Sequence, residues 1–533
     1  MADFDIVIHG GRLIDGTGNP WLYGDVAVKD GRIAAIGKIP PEAGARAISA
    51  KGCVVAPGFI DMHTHSDQPI IADGNAESKV RQGVTLDIIG ESQTVAPLEG
   101  AILEEYRLEH RKRNGIETDW TTFTGYFNRV RSGGVSINVA SGVSPQQVKR
   151  VVCGFEERPA SAAERERMNR LVAQAMEEGA LGLTAAWHAK GPENPDEVVE
   201  MAKIVKRYGG YYGVHVGSEG FDMMEELAKA LRVAREAEIP VHVYHLKLRA
   251  KANWGRIRQV IEQIEEARRE GLDITANQYP YTAMQHPWRR LFPRWVQDGP
   301  VNETISQFKN PAFRERVIRD PEFHQYVDEH GGWEGIVAAR LDSEALKKFE
   351  GMTIAQIAKI REQDPVSACF DLIYEEGSFI HGVHHTMNED DVKTVMRVPW
   401  VSIGSDGSAL NLKYPGKPHP RSFGTNPRVL GKYTREEKVL ALEDAVRKMT
   451  SLPARVLGLK DRGLLREGYW ADVVVFDPDT VADTATYDNP KQYPEGIDYV
   501  LVNGKVVIDQ GHHTGARPGQ IVYGPGYKEG AIY

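Results

Sequence analysis

Val54-Val55-Ala56-Pro57-Gly58-Phe59-Ile60-Asp61-Met62-His63-Thr64-His65-Ser66-Asp67 is an apolar run that ends in two histidines one residue apart. Read as a buried strand, it sends alternate side chains to opposite faces, so His63 and His65 point the same way. Two imidazoles at one strand end can share a single cation. A polar strand end with incidental histidines is the plainer reading of a bare His-x-His. The apolar strand before the pair, its Pro57-Gly58 entry and the acidic Asp67 after it favour a metal site.

On either side of this run the pattern changes. Asp5-Ile6-Val7-Ile8-His9 precedes Gly10-Gly11, and Asp30-Gly31 separates Asp25-Val26-Ala27-Val28 from Arg32-Ile33-Ala34-Ala35-Ile36, a hairpin signal. The far end repeats the style in Ala471-Asp472-Val473-Val474-Val475-Phe476 and Tyr499-Val500-Leu501-Val502-Asn503-Gly504. Between these β-rich ends, apolar strands alternate with amphipathic helices, as in Val241-His242-Val243-Tyr244-His245 before the helix near Ile257 to Arg268. The prediction is an α/β chain: a TIM-like (β/α)8 barrel with a small discontinuous β-sandwich domain built from both termini. The expected boundaries are 1–56 and 460–533 for the small domain and 57–459 for the barrel. Residues 286–349, with Trp288, Trp295 and Trp333 among prolines and charges, read as an inserted lid. Two ordinary barrel helices with long loops are the alternative there.

Composition narrows the function classes. Of 533 residues, 41% are hydrophobic and 26% charged, which excludes a disordered or fibrous chain. A net charge of -9 supplies no broad basic field for nucleic acid or an anionic membrane, so neither partner is expected. Three cysteines without a C-x-x-C pair, and an N-terminus acidic where a signal peptide is basic, predict a cytoplasmic protein.

Four further motifs fall where barrel strands should end, the place where such barrels carry their chemistry. Gly83-Val84-Thr85-Leu86-Asp87-Ile88-Ile89-Gly90 delivers Glu91, a carboxylate able to bridge two cations, or else a simple turn cap. His215 and His245 each close a strand-like run, and with His63 and His65 they form a ligand set suited to zinc. His242 is out of phase with His245 and is left out. Val401-Ser402-Ile403-Gly404-Ser405-Asp406 ends on an aspartate with the look of a general base beside a cation. A loop cap is the plainer role for Asp406.

Taken together, Pro57 to Asp67, His215, His245-Leu246-Lys247 and Ser405-Asp406-Gly407 resemble the amidohydrolase superfamily. Within it the chain is similar to the N-acyl-D-amino-acid deacylases, the D-aminoacylases. That likeness rests on Glu177 to Leu183, Asn253-Trp254-Gly255, Gln278-Tyr279-Pro280-Tyr281-Thr282-Ala283, Lys417 to Arg421 and Pro427 to Gly431. The resemblance implies one metal position at His63, His65 and Asp406, a second at His215 and His245, usually zinc, and Asp406 as the acid/base. It also implies that Lys247, Tyr281 and Arg421 hold the substrate carboxylate, an arginine fork suiting that group.

The chain departs from the family in three places. Gly90-Glu91-Ser92-Gln93 stands where D-aminoacylases carry Gly-Asn-Cys-Gly, so Glu91, or Ser92 with a one-residue shift, replaces a ligating cysteine. His215-Val216-Gly217-Ser218-Glu219 lacks the arginine of the family's His-x-Arg-x-Glu, and Thr184-Ala185-Ala186-Trp187-His188 departs from a Ser-Thr-Gly run. The expected protein is a metal-dependent hydrolase of a non-peptide amide C–N bond, with one or two Zn2+, a small-molecule N-acylated substrate and homo-oligomeric assembly. Another amidohydrolase activity (cyclic amide hydrolase, carboxypeptidase-like amidase or lactonase) is the alternative, and a non-catalytic scaffold a further one.

Overall fold

The computed structural model describes residues 2–156, 158–187 and 194–530. The apolar run that opens the barrel is two strands rather than one. Val54–Pro57 lies antiparallel to Val473–Phe476 and parallel to the end of Phe4–Leu13, whereas Phe59–Asp61 belongs to the barrel. The corner between them is Gly58. A Cβ there would stand 2.3 Å from the Thr85 side chain, so only glycine lets the chain turn this close to the second barrel strand.

Strands from both ends of the chain share one nine-stranded sheet. Its two-residue alternation serves two cores. Val55, Val473, Val475 and Leu501 pack with Ile6, Ile8, Val26 and Val28 inside the small domain. Their neighbours Val54, Ala56, Val474, Phe476, Val500 and Val502 face the barrel and join its core.

Eight parallel strands form the barrel. Phe59–Asp61, Val84–Ile89 and Asn138–Ser141 make one hydrogen-bonded group; Gly182–Ala186, Tyr211–His215, Val241–Val243, Ile274–Gln278 and Val401–Ile403 make the other. Parallel bridges at Val143↔Leu183 and Thr64↔Gly407 close both seams. The outer helices follow from sequence. Ile257–Arg269 buries Ile257, Val260, Ile261, Ile264 and Ala267, a stripe spaced by three and four. Pro195–Arg207 starts on Asn194, whose side chain accepts the Asp196 N–H, and runs from acids in its first turn to Lys206 and Arg207 in its last.

Between the seventh and eighth barrel strands the chain makes a long excursion. Its sheet sets His381–His385 between Ala283–Pro287 and Ile336–Arg340, all antiparallel. The excursion therefore runs past 349, the end expected from sequence. Helices Ile354–Arg361 and Pro365–Glu376 bury Ile354, Ile357, Cys369, Phe370 and Ile373 in a core shared with Trp288, Phe292, Phe308 and Phe323, apart from the barrel core. Their helical periodicity matches that of barrel helices, so the pattern alone does not mark them as inserted.

Candidate active site

Every candidate ligand stands at the mouth of a barrel strand. His63 and His65 follow the first strand, Glu91 the second, His215 ends the fifth, His245 follows the sixth and Asp406 the eighth. Three residues in these exits hold left-handed backbone: Ser92 at φ 65°, His245 at φ 35° and Asp406 at φ 51°. Such angles are costly for non-glycine residues and cluster where a fold must aim a side chain.

The donors converge on Glu91. Its Oε2 lies 2.8 Å from His63 Nε2 and its Oε1 2.7 Å from His215 Nδ1. His245 Nε2 is 3.1 Å from His215 Nδ1, and His65 Nε2 is 3.0 Å from Asp406 Oδ1. Two groups result, each with its ligand atoms within 4.8 Å of one another: His63, His65, Glu91 and Asp406, and Glu91, His215 and His245. Glu91 belongs to both. Ser92, the other candidate at this strand end, only lines the neighbouring cavity wall. His242 bonds Thr275 and Asn277 in the barrel interior, outside the cluster.

The donor set fits a divalent cation. Burial pushes the imidazoles of His215 and His245 down, the second aided by the Lys247 charge, which favours the neutral ring with one nitrogen free to ligate. Burial would raise the Glu91 carboxyl, but His215 and His63 outweigh it and hold it well below the usual range. Asp406 likewise stays ionised, because Arg421 and His63 overcome the effect of burial. Among the described residues, Lys247 and Arg421 are the only lysine and arginine paired with the buried carboxylates Glu91, Glu219 and Asp406, and neither of them bonds Glu91, a donor set that suits a cation.

Other side chains fix these donors. Lys247 pairs with Glu219, whose Oε1 lies 2.8 Å from His245 Nδ1. Arg421 Nη1 donates to Asp406 Oδ2 at 2.6 Å. At the seam, the fully buried Lys79 donates to Asp61 (2.9 Å) and Ser405 (2.8 Å), while the Asp406 N–H bonds the His63 carbonyl at 2.8 Å. First and last strands, with their ligands, are thus clasped together. Glu219 went unassigned in the sequence; its signal is the offset of four from His215.

One expectation needs correcting. Tyr281 does not line the cavity over the cluster; Tyr279 does, beside Lys247 and Arg421. Its ring lies 5.1 Å from the Arg421 guanidinium and 5.3 Å from Lys247 Nζ. Tyr279 directly follows the seventh strand and shares its mouth. Tyr281 lies two residues further on, past Pro280, where its ring packs on His419 and Tyr487 under Arg428.

The departures from the family pattern also find physical reasons. A side chain at Gly217 would meet Glu226 Oε2 at 2.4 Å, so that carboxylate fills the space. Trp187 is buried and donates its ring N–H to the Tyr212 hydroxyl at 2.8 Å, a packing role. His188 lies outside the described residues. Over the cluster sits a cavity of about 370 Å³, walled on one side by strand ends and on the other by Met284, His286, Arg340 and His381 of the excursion.

Comparison with known proteins agrees with this geometry. Residues 46–508 match the model of the amidohydrolase family. The chain is 33% identical over 532 residues to a D-aminoacylase of Alcaligenes xylosoxydans xylosoxydans, covering 97% of each. It is 33% identical over 523 residues to an N-acyl-D-glutamate deacylase of the same organism, covering 97% of this chain and 96% of that one. A D-aminoacylase crystal structure superposes with a TM-score of 0.80 at 30% identity, over 97% of this chain and 99% of that one. The N-acyl-D-glutamate deacylase of Bordetella bronchiseptica, solved with zinc and a phosphonate mimic of the tetrahedral intermediate, gives 0.81 at 30% identity, over 98% and 100%. A closed barrel whose strand mouths gather histidines and carboxylates, matched over nearly its whole length, places this chain in the amidohydrolase family, with the D-aminoacylases.

Proposed function

We propose that this chain hydrolyses the amide bond of N-acyl-D-amino acids, releasing a carboxylic acid and the free amino acid. The observation that carries the reading is the convergence of His63, His65, Glu91, His215, His245 and Asp406 beside two cationic side chains, Lys247 and Arg421. The D configuration comes from the relatives. We assign one or two zinc ions as cofactor, with His63, His65 and Asp406 around one position, His215 and His245 around the other, and Glu91 shared. A cation held there acidifies water and polarises a carbonyl.

The remaining work falls to the protein. Lys247, Tyr279 and Arg421 hold the substrate carboxylate and so fix the amide over the cluster. Asp406, ionised and aimed into the cavity, takes the proton of the attacking water and delivers it to the leaving nitrogen. Glu219 keeps Lys247 charged and His245 in orientation. The cysteines are free thiols, which supports the cytoplasm as the place of action.

The test couples elemental analysis to turnover, for wild type and Glu91→Ala, on N-acetyl-D- and N-acetyl-L-amino acids and a cyclic amide. The expected wild type carries zinc and prefers the D substrates, and the variant loses metal and most activity. Equal metal and equal turnover in both proteins would remove the shared ligand. Preference for the cyclic amide would move the chain to another amidohydrolase activity.

A further inference from the structure

The loop that carries Lys247 does not rest on the barrel alone. Two residues past Lys247, Arg249 donates its backbone N–H to the Glu219 carbonyl at 2.9 Å, so the main chain ties together the two loops that supply the Lys247–Glu219 pair. From there on the contacts are to the excursion. Arg249 Nη2 stands 3.0 Å from Glu329 Oε2, and its Nη1 lies 3.3 Å from His330 Nε2. The Ala250 N–H donates to the Thr386 hydroxyl at 3.0 Å, and that hydroxyl donates in turn to the Glu329 carbonyl at 2.6 Å. Trp254 adds a bond from its ring N–H to the Thr386 carbonyl at 3.1 Å.

Glu329 meets the other loop as well. It ends the helix Pro321–Glu329 and is buried, with Gln325 donating to its Oε1 at 3.0 Å. A Cβ on Gly220, the residue after Glu219, would stand 2.6 Å from the Glu329 carboxylate, so the excursion packs directly on the chain beside Glu219. One buried acid of the excursion therefore touches the loops after both the fifth and the sixth barrel strands. A carboxylate taken out of water in this way is costly unless it is paired, and Arg249 is the partner. The backbone at the junction is strained too. Ala250 holds φ 76° and ψ 136°, a combination that residues with a side chain avoid and that persists only where the surroundings impose it.

We infer that Glu329 and Thr386 are positioning residues for the substrate carboxylate: through Arg249 and Ala250 the excursion holds the Lys247–Glu219 pair from behind and so sets the grip of the cleft. The inference rests on the deacylase reading above, in which Lys247 holds that carboxylate. The metal cluster is held by other means. His245, the ligand nearest this clasp, donates its backbone N–H to Asn277 Oδ1 of the seventh strand at 2.6 Å, and the other ligands follow their own strands. Loosening the clasp should therefore weaken substrate binding and leave the metal in place.

The test compares wild type, Glu329→Gln, Thr386→Val and Thr386→Ser in kcat and KM on N-acetyl-D-leucine and N-acetyl-D-glutamate, in zinc content, and in amide hydrogen exchange over residues 246–250. Glu329→Gln keeps the shape and removes the charge that answers Arg249. Thr386→Val removes the hydroxyl at nearly equal size, Thr386→Ser returns it, and this pair keeps the test decisive if Glu329→Gln fails to fold. Glu329→Gln and Thr386→Val are expected to raise KM by about 5-fold or more, with kcat within about 2-fold of wild type and zinc retained, since an anchor acts on bound substrate and transition state alike. The amides of Arg249 and Ala250 should exchange faster in both, and Thr386→Ser should restore KM. An unchanged KM in folded Thr386→Val would make these contacts structural alone and overturn the inference, with the deacylase reading intact. Loss of zinc and of kcat with KM unmoved would overturn it equally, by placing the clasp under the metal cluster. If wild type cleaves neither substrate, the deacylase reading falls and takes this inference with it.

Discussion

The two walls of the cleft are built on different principles. The barrel wall places His63, Glu91, His215, His245 and Asp406 at strand ends, where parallel pairing fixes each backbone to its neighbour, and Lys79 clasps the last seam. The excursion wall supplies His286, Arg289, Arg290 and Arg340 from an antiparallel sheet and short helices around a separate core. Chemistry that needs several donors placed to within a fraction of an ångström sits on the first wall. Groups of the excursion face the same cavity from the second, which can change without moving the donors.

The comparison is most exposed at Asp406. An Asp406→Asn variant keeps the shape of the side chain, loses the proton acceptor and leaves Arg421 facing an amide. The expected fall in kcat is about 10²–10⁴-fold with little change in KM, because proton transfer is removed while the carboxylate anchor remains. Steady-state kinetics with metal content measured on the same sample decides it. Full turnover with metal bound would take the acid/base role from Asp406.

The separation of the two cores is tested next by Phe292→Ala. The Phe292 side chain is fully buried and its ring centroid lies 4.9 Å from that of Phe308 and 5.7 Å from that of Phe323. Its removal should cost about 3–5 kcal/mol, borne by the excursion. Limited proteolysis is expected to cut between 288 and 380 while the barrel keeps its metal. Loss of metal together with the excursion would mean that the two regions fold as one unit.

The same division explains what could be read from the sequence. The candidate metal ligands were legible because a strand of period two that ends in histidine or acid has few other uses. His63, His65, His215, His245 and Asp406 are therefore found together in space. Glu91 was legible as a strand-end carboxylate able to bridge two cations, but not in which histidines it meets, since that depends on the fifth strand lying across the mouth. The excursion beyond 349 was hidden because its helices bury the same apolar stripe as barrel helices, and only contact shows which core receives it. Tyr279 was missed because two tyrosines flank Pro280, and the turn chooses between them.

That choice gives the finest test of the cleft. The hydroxyls of Tyr279 and Tyr281 are both buried and neither finds a hydrogen-bond partner among the described residues. They differ in what surrounds them. Tyr279 lies between the charges of Lys247 and Arg421, where a substrate carboxylate would meet its hydroxyl; Tyr281 lies behind, beneath Arg428. A hydrogen bond to a charged group contributes about 1.5–3 kcal/mol. Tyr279→Phe should therefore raise KM by about 10-fold or somewhat more with kcat nearly kept, since the anchor acts on bound substrate and transition state alike. Tyr281→Phe should change KM by less than about 2-fold, because its hydroxyl forfeits no hydrogen bond. The reverse order of effects would return the carboxylate to Tyr281, and would require the turn at Pro280 to swing its ring into the cleft when substrate binds.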